Sequence, residues 1–138
     1  MDTYVELHVE DFGRTREFYE LLEFEVVWTR DPERKKGYLV MRNGDNVLMF
    51  WCGNEFVYDQ AFFKRYPKET PRGKGVEIVL MIKDVAAYYE RVCGVVDIAE
   101  PLEARPWGAS DFRVVDPEGF YIRFSEAYDV LDSSHAVH

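Results

Sequence analysis

The sequence predicts an α+β fold, two tandem strand–helix–strand–strand–strand modules forming a curved mixed-sheet cup. Three observations carry that prediction. Tyr4-Val-Glu-Leu-His-Val-Glu-Asp11 and Glu77-Ile-Val-Leu-Met-Ile-Lys-Asp84 are two versions of one pattern, Glu77 standing 73 residues after Tyr4. Each pattern ends in an Asp suited to capping the amphipathic segment that follows. Each of those segments is then followed by three strand-like runs. A repeat of about half the chain argues for two fused modules sharing a core, not two independent domains.

In the first strand Val5, Leu7 and Val9 share one face, with Tyr4, Glu6, His8 and Glu10 opposite. After Asp11 the helix presents Phe12, Thr15, Phe18, Tyr19 and Leu22 at helical spacing. Strands are expected at 24–29, 37–42 and 47–51, with an Asn43-Gly44 hairpin turn between the last two. The first module spans 1–52. A connector, 53–75, carries a short helix at 58–66 bracketed by prolines and glycines.

The second module, 76–126, repeats the order. Val76, Ile78, Leu80 and Ile82 alternate, Asp84 caps, and Val85, Tyr88, Tyr89 and Val92 form the helical stripe. Strands are expected near 95–99, 112–115 and 120–124, with Asp116-Pro-Glu-Gly119 as the last turn. The remainder, 127–138, reads as a C-terminal tail, polar and frayed after Asp132, and the whole as one structural domain.

Composition narrows the partners. With 47% hydrophobic residues, 138 residues suffice for a substantial core. A net charge of -9 disfavours nucleic acid and anionic membranes and suits a cationic ligand. No run approaches the ~20 apolar residues of a membrane span. The absence of a basic leader and signal-length apolar run leads us to expect a cytoplasmic protein. Cys52 and Cys93 form no close-spaced metal or redox pair, so both are expected to be reduced, buried thiols.

Several short motifs together resemble the vicinal oxygen chelate superfamily of glyoxalase I, extradiol dioxygenases and bleomycin resistance proteins. They are Val5-x-Leu-x-Val-x-Asp11, Phe18-Tyr19-Glu20 with Leu22 and Phe24, and Asp116-Pro-Glu-Gly119. The nearest likeness is to bleomycin resistance proteins, through Asp11-Phe12 and through Trp107-Gly108 nine residues before Asp116. The chain departs from the pattern at Glu23, where the family has Gly, a change expected to affect the helix end and not the site. The resemblance implies the glyoxalase/bleomycin-resistance/dioxygenase-like fold and a homodimer with two ligand grooves at its interface. It also implies stoichiometric sequestration of a basic, partly planar antibiotic.

Catalytic members of the superfamily hold one divalent ion on His, Gln or Glu side chains. Counted from the two Asp landmarks and the hairpins, the corresponding positions here are Tyr4, Met49, Glu77 and Arg123. Phenol, thioether and guanidinium are poor ligands for such an ion, and Arg repels it. A slip of one residue offers only Leu48 or Phe50 and Ile122 or Phe124.

The expected ligand-binding residues are therefore Trp107, Tyr4, His8, Trp28, Tyr38, Met49, Trp51, Glu77 and Arg123, with no catalytic residue and no metal ligand. Trp107 sits in the loop Arg105-Pro-Trp-Gly108, where a bulky indole has less structural reason to be. Trp28, Tyr38 and Trp51 suit a core or dimer interface as well as a ligand surface. His8 suits a ligand contact, or a simple hydrogen bond to Glu6 or Glu10. The resulting reading is a non-catalytic small-molecule binder of the bleomycin-resistance type, without cofactor, taking a cationic, partly planar ligand in an aromatic-lined cup at a dimer interface. The alternative is a lyase, isomerase or dioxygenase using one divalent metal ion on atypical ligands. A third possibility is an enzyme without metal that uses His8 or Glu77 as general base.

Overall fold

The computed structural model describes residues 3–30, 37–51, 59–66 and 71–135. The chain divides into two compact units, Met1–Arg72 and Gly73–His138. The first unit runs β1 (Val5–His8), α1 (Phe12–Leu21), β2 (Glu25–Arg30), β3 (Tyr38–Asn43) and β4 (Asn46–Trp51). The second runs β5 (Glu77–Met81), α2 (Val85–Val92), β6 (Glu100–Ala104), β7 (Ser110–Val115) and β8 (Tyr121–Ser125). The sheet orders are β1-β4-β3-β2 and β5-β8-β7-β6. In each, the first strand lies parallel to the last, and the other pairs are antiparallel. The predicted α+β architecture of two repeated modules is the observed one.

The repeat extends to register. Val5 pairs with Leu48 and Ile78 with Ile122; Val40 pairs with Met49 and Arg113 with Arg123. Both parallel ladders close on the same bond, from Val9 N–H to Trp51 O (3.1 Å) and from Ile82 N–H to Ser125 O (2.8 Å). One sheet face in each unit packs on its helix. In the first, Leu7, Leu39, Met41, Leu48 and Phe50 are buried there, and Tyr19 of α1 sits 5.2 Å from the Phe50 ring. In the second, Ile78, Leu80, Phe112, Val114, Ile122 and Phe124 are buried, with Tyr88 of α2 5.3 Å from the Phe124 ring. Such ring pairs contribute about 0.5–1.5 kcal/mol beyond their area. The apolar alternation fades at its first residues, Val5 and Val76, which are exposed.

Helix ends follow local chemistry. Asp11 and Asp84 each cap their helix, accepting from Arg14 N–H (3.1 Å) and Ala87 N–H (3.3 Å). At the other end of α1, Glu23 takes a left-handed φ of 66°. Glu23 N–H donates to Glu20 O (3.0 Å) and Phe24 N–H to Tyr19 O (2.9 Å), while the Tyr19 and Phe24 rings meet edge to face. That is a Schellman ending, which favours glycine at the position Glu23 occupies. The departure from the family pattern thus falls on the helix end, as expected.

Several expectations need correction. The strand expected near 95–99 lies later, at Glu100–Ala104. Residues 95 and 96 instead close the end of α2, both N–H groups donating to Val92 O. β6 is an edge strand, so Pro101, lacking an N–H, is tolerated there. The first hairpin loop is Gly44-Asp45, one residue beyond Asn43-Gly44, closed by the Asn43–Asn46 pair with Gly44 at φ 58°. The helix expected at 58–66 is a single 3-10 turn, Phe63–Arg65, and Tyr58 lies outside the described residues. Another 3-10 turn, Ser133–His135, follows Asp132, whose carboxylate accepts from Ser134 N–H (2.9 Å), where a frayed tail was expected. Cys93 is exposed rather than buried, because it caps α2 just past the buried stripe; Cys52 lies outside the described residues. The Asp116–Gly119 turn forms as predicted, with Gly119 at φ 98° and Asp116 accepting from Glu118 and Phe120 N–H.

Candidate functional site

The sheet face turned away from each helix carries the polar and aromatic residues singled out by the sequence. Register settles their direction. Leu48, Phe50, Ile122 and Phe124 point to the helices, which leaves Met49, Trp51 and Arg123 on the opposite faces.

In the first unit that face reads Glu6 and His8 on β1, Met49 and Trp51 on β4, Tyr38 and Val40 on β3, and Trp28 on β2. Trp28 reaches it through a β-bulge. Val26 pairs with Met41 and Trp28 with Val40, leaving Val27 unpaired, so Val26 and Trp28 face opposite ways. Trp28 then stacks on Tyr38, with centroids 5.4 Å apart and planes at 17°, and remains 49% exposed. Tyr4, just before β1, is also exposed.

The centre of this face is a hydrogen-bonded chain. The Tyr38 hydroxyl donates to Glu6 Oε1, and His8 Nε2 lies 3.1 Å from Glu6 Oε2. Of the two partners weighed for His8, the structure selects Glu6. Burial first, then the hydrogen bond and charge of Glu6, push the Tyr38 phenol well above its ordinary range, against a smaller lowering by Arg30. Tyr38 therefore stays protonated and donating, and Glu6 accepts at both oxygens. A donor at His8 Nε2 matches Glu6 Oε2. Nδ1 is buried and has no hydrogen-bond partner among the described residues. Trp51 and Phe63 flank the imidazole edge-on at 5.2 and 5.0 Å.

The second unit's face is ionic. Asp111, fully buried on β7, accepts from Arg105 Nε (2.9 Å) and Arg113 Nη1 (3.1 Å). Glu77 accepts from Arg113 Nε at 2.7 Å, and Arg123 Nε stands 3.7 Å from the same oxygen. Burial alone would lower the Arg113 pKa, but the hydrogen bond to Glu77 and the charges of Asp111 and Glu77 outweigh it, and the net shift is upward. Trp107 lies in the β6–β7 turn, which is closed by Gly108 N–H to Arg105 O (3.0 Å). The Arg123 guanidinium sits over its ring, 5.6 Å from the centroid.

Among the expected residues, the structure thus groups His8, Trp28, Tyr38, Met49 and Trp51 on one face and Glu77, Trp107 and Arg123 on another. Sequence reasoning left Glu6 out of the ligand set and missed Phe63, Arg105, Asp111 and Arg113. Alternation in Asp111-Phe-Arg-Val-Val115 signals that Asp111 and Arg113 share a face. Nothing local marks Phe63, which meets His8 only through the fold.

The four positions corresponding to the superfamily's metal ligands do not fit a divalent ion. Tyr4 is 60% exposed, Met49 offers a thioether, and the Glu77 carboxylate is engaged by Arg113 with Arg123 beside it. Among the described residues no group of three or more His, Cys, Asp or Glu is placed to hold a metal. An open groove along α1, lined by Gly13, Arg16, Glu17, Glu20 and Leu21, holds only the exposed Arg16–Glu20 ion pair and offers no comparable chemistry.

The architecture is that of the glyoxalase/bleomycin resistance/dioxygenase superfamily, the fold the sequence motifs resemble. Within it, the similar solved structures include a bleomycin-binding protein and a bleomycin resistance determinant. One is a bleomycin-binding protein complexed with bleomycin, 23% identical over 93% of this chain and 99% of that one, with a TM-score of 0.64. Another is a bleomycin resistance determinant encoded on transposon Tn5, 25% identical over 94% and 99%, TM-score 0.66. A third is a glyoxalase/bleomycin resistance protein/dioxygenase from Nocardioides, 18% identical over 94% and 85%, TM-score 0.68. No protein-family model matches the sequence, and no curated protein matches it. Among the described residues no helix is long and apolar enough to cross a membrane.

Proposed function

We propose that this protein is a metal-free, non-catalytic small-molecule binder of the bleomycin-resistance type. It takes a cationic, partly planar ligand on the aromatic face of the first unit and acts as a cytoplasmic homodimer. The observation that carries this reading is the exposed Trp28–Tyr38 stack beside Glu6, His8 and Trp51. A half-exposed indole already held parallel to a phenol is an ordered platform for a third planar ring. Glu6 supplies negative charge next to it, with His8 and Tyr38 hydrogen-bonded to its two oxygens. Each exposed cation–π contact contributes only about 0.5–1 kcal/mol, so useful affinity requires ring burial and the polar contacts together.

Bleomycin titration followed by tryptophan fluorescence tests the reading, with mass spectrometry to show that the ligand leaves unaltered. Saturable quenching that weakens about tenfold in Trp28→Ala is the expected outcome. Unchanged emission at millimolar bleomycin removes the proposal. Sedimentation checks the dimer, and elemental analysis of the purified protein checks the metal-free site.

A further inference from the structure

We propose that Phe63, carried by the 3-10 turn of the connector, is a positioning residue for cation recognition on the first unit's aromatic face. The inference rests on the binding reading above and concerns how the charge of Glu6 is held there. Glu6 stands on β1, an outer strand of its four-stranded sheet, and its side chain is 40% exposed. A glutamate so placed ordinarily samples many rotamers, and ordering it when a ligand arrives would cost affinity. Here the carboxylate is fixed beforehand from two sides. Tyr38 donates to Oε1 while its ring is stacked on Trp28, and His8 Nε2 meets Oε2 at 3.1 Å.

His8 supports the carboxylate only if its own ring is held, and Phe63 holds it. The imidazole is wedged between Trp51 and Phe63, both edge-on, with interplanar angles of 67° and 66°. Trp51 belongs to the sheet, as the direct cross-strand partner of His8. Phe63 comes from outside it, and its neighbours in the turn face the other way. Phe62 and Tyr66 are exposed, with the Arg65 guanidinium over both rings, 4.5 and 5.5 Å from their centroids. Of these three rings only that of Phe63 is half-buried. Arg65 Nε also donates to Phe62 O (3.1 Å), and Tyr66 N–H to Phe63 O (3.0 Å), so the turn's own contacts fix the direction of Phe63. The cations of this region leave Glu6 its charge. Arg65 stays with Phe62 and Tyr66, and Arg30 lies over the Tyr38 ring, 5.9 Å from its centroid, on the strand farthest from β1. Neither forms an ion pair with Glu6 among the described residues.

Two probes of one shape and different charge, benzamidinium and benzamide, separate this role from simple packing. Fluorescence titration of the intact chain should show benzamidinium bound about tenfold more tightly than benzamide, and Glu6→Gln should erase that preference. Phe63→Ala should reduce the preference to about twofold with benzamide affinity almost unchanged, because the ring acts on the carboxylate and not on the ligand. Phe63→Tyr, which keeps an edge-on ring, should restore it. The His8 ring-proton resonances should move in Phe63→Ala, through loss of a ring current, and stay near their wild-type positions in Phe63→Tyr. Far-UV circular dichroism shows whether each variant folds; if Phe63→Ala does not, Phe63→Leu carries the comparison. Equal weakening of both probes makes Phe63 a wall of the site or a fold element and overturns the proposal. So does wild-type protein that binds the two probes alike. An unaltered preference in the folded variant overturns it as well, and leaves the binding reading standing. Wild-type protein that binds neither bleomycin nor benzamidinium removes both.

Discussion

The two units share a backbone pattern and a helix-facing layer, yet their outer faces obey opposite chemistry. Register aligns Tyr38 with Asp111, Val40 with Arg113, Met49 with Arg123 and Trp51 with Ser125. One face became aromatic with a single carboxylate, the other an arginine–carboxylate network. What stays constant is what the fold needs: Leu48 with Ile122, and Phe50 with Phe124, all buried against helices. Even there the packing is solved twice. In α1 the buried pair at i, i+4 is Thr15 then Tyr19, and in α2 it is Tyr88 then Val92, large and small exchanged. Total volume is what close packing constrains, and either order satisfies it.

The comparison can be broken most severely in the shared layer. Phe50→Ala and Phe124→Ala should each cost about 4 kcal/mol in chemical denaturation, because each empties the same place in its unit. A difference of more than about 2 kcal/mol between them would show that the two layers are not energetically equivalent. Next comes Asp111→Ala. Removing the buried carboxylate strands Arg105 and Arg113, and about 3 kcal/mol should be lost. If Asp111→Ala folds at nearly wild-type stability, the network is not the structural element its burial indicates.

A smaller effect separates the helix ends. Glu23→Gly should raise stability by about 1 kcal/mol, because glycine adopts φ 66° without the Cβ penalty. No gain, or a loss, would mean that the Glu23 side chain compensates for its backbone.

The slightest effect concerns pH. Tyr38 has its phenol pKa raised by burial and by Glu6 above the ordinary value of 10.0. A raised folded-state value means that its contribution is complete below about pH 10 and is lost as pH climbs toward that higher value. Between roughly pH 10 and 12 the melting temperature of the wild type should fall more steeply than that of Tyr38→Phe. Parallel curves would detach Tyr38 from the Glu6 chain.

Much of this was legible in the sequence, and the exceptions have physical reasons. Alternation and Asp caps placed both helices and most strands, because those signals are local. β6 was misplaced because Val95-Val-Asp-Ile-Ala99 looks more strand-like than Glu100-Pro-Leu-Glu-Ala104, and pairing with β7 decided the matter. Strand parity put Glu6, His8, Met49, Trp51 and Arg123 on the sheet faces that the register gives them. It could not give the Asp111 network, where partners come from β5, β7, β8 and a turn, so the pairing exists only once the sheet is built.

The unpaired Val27 is a spare tooth in an otherwise regular ribbon. Deleting it should straighten β2 while leaving the Trp28 indole opposite Val40, whereas adding one more residue before Trp28 should swing the indole to the other side. Length at that point, more than composition, therefore sets which side of the sheet the indole occupies, and an inserted codon, unlike a deleted one, would take it off the proposed binding face.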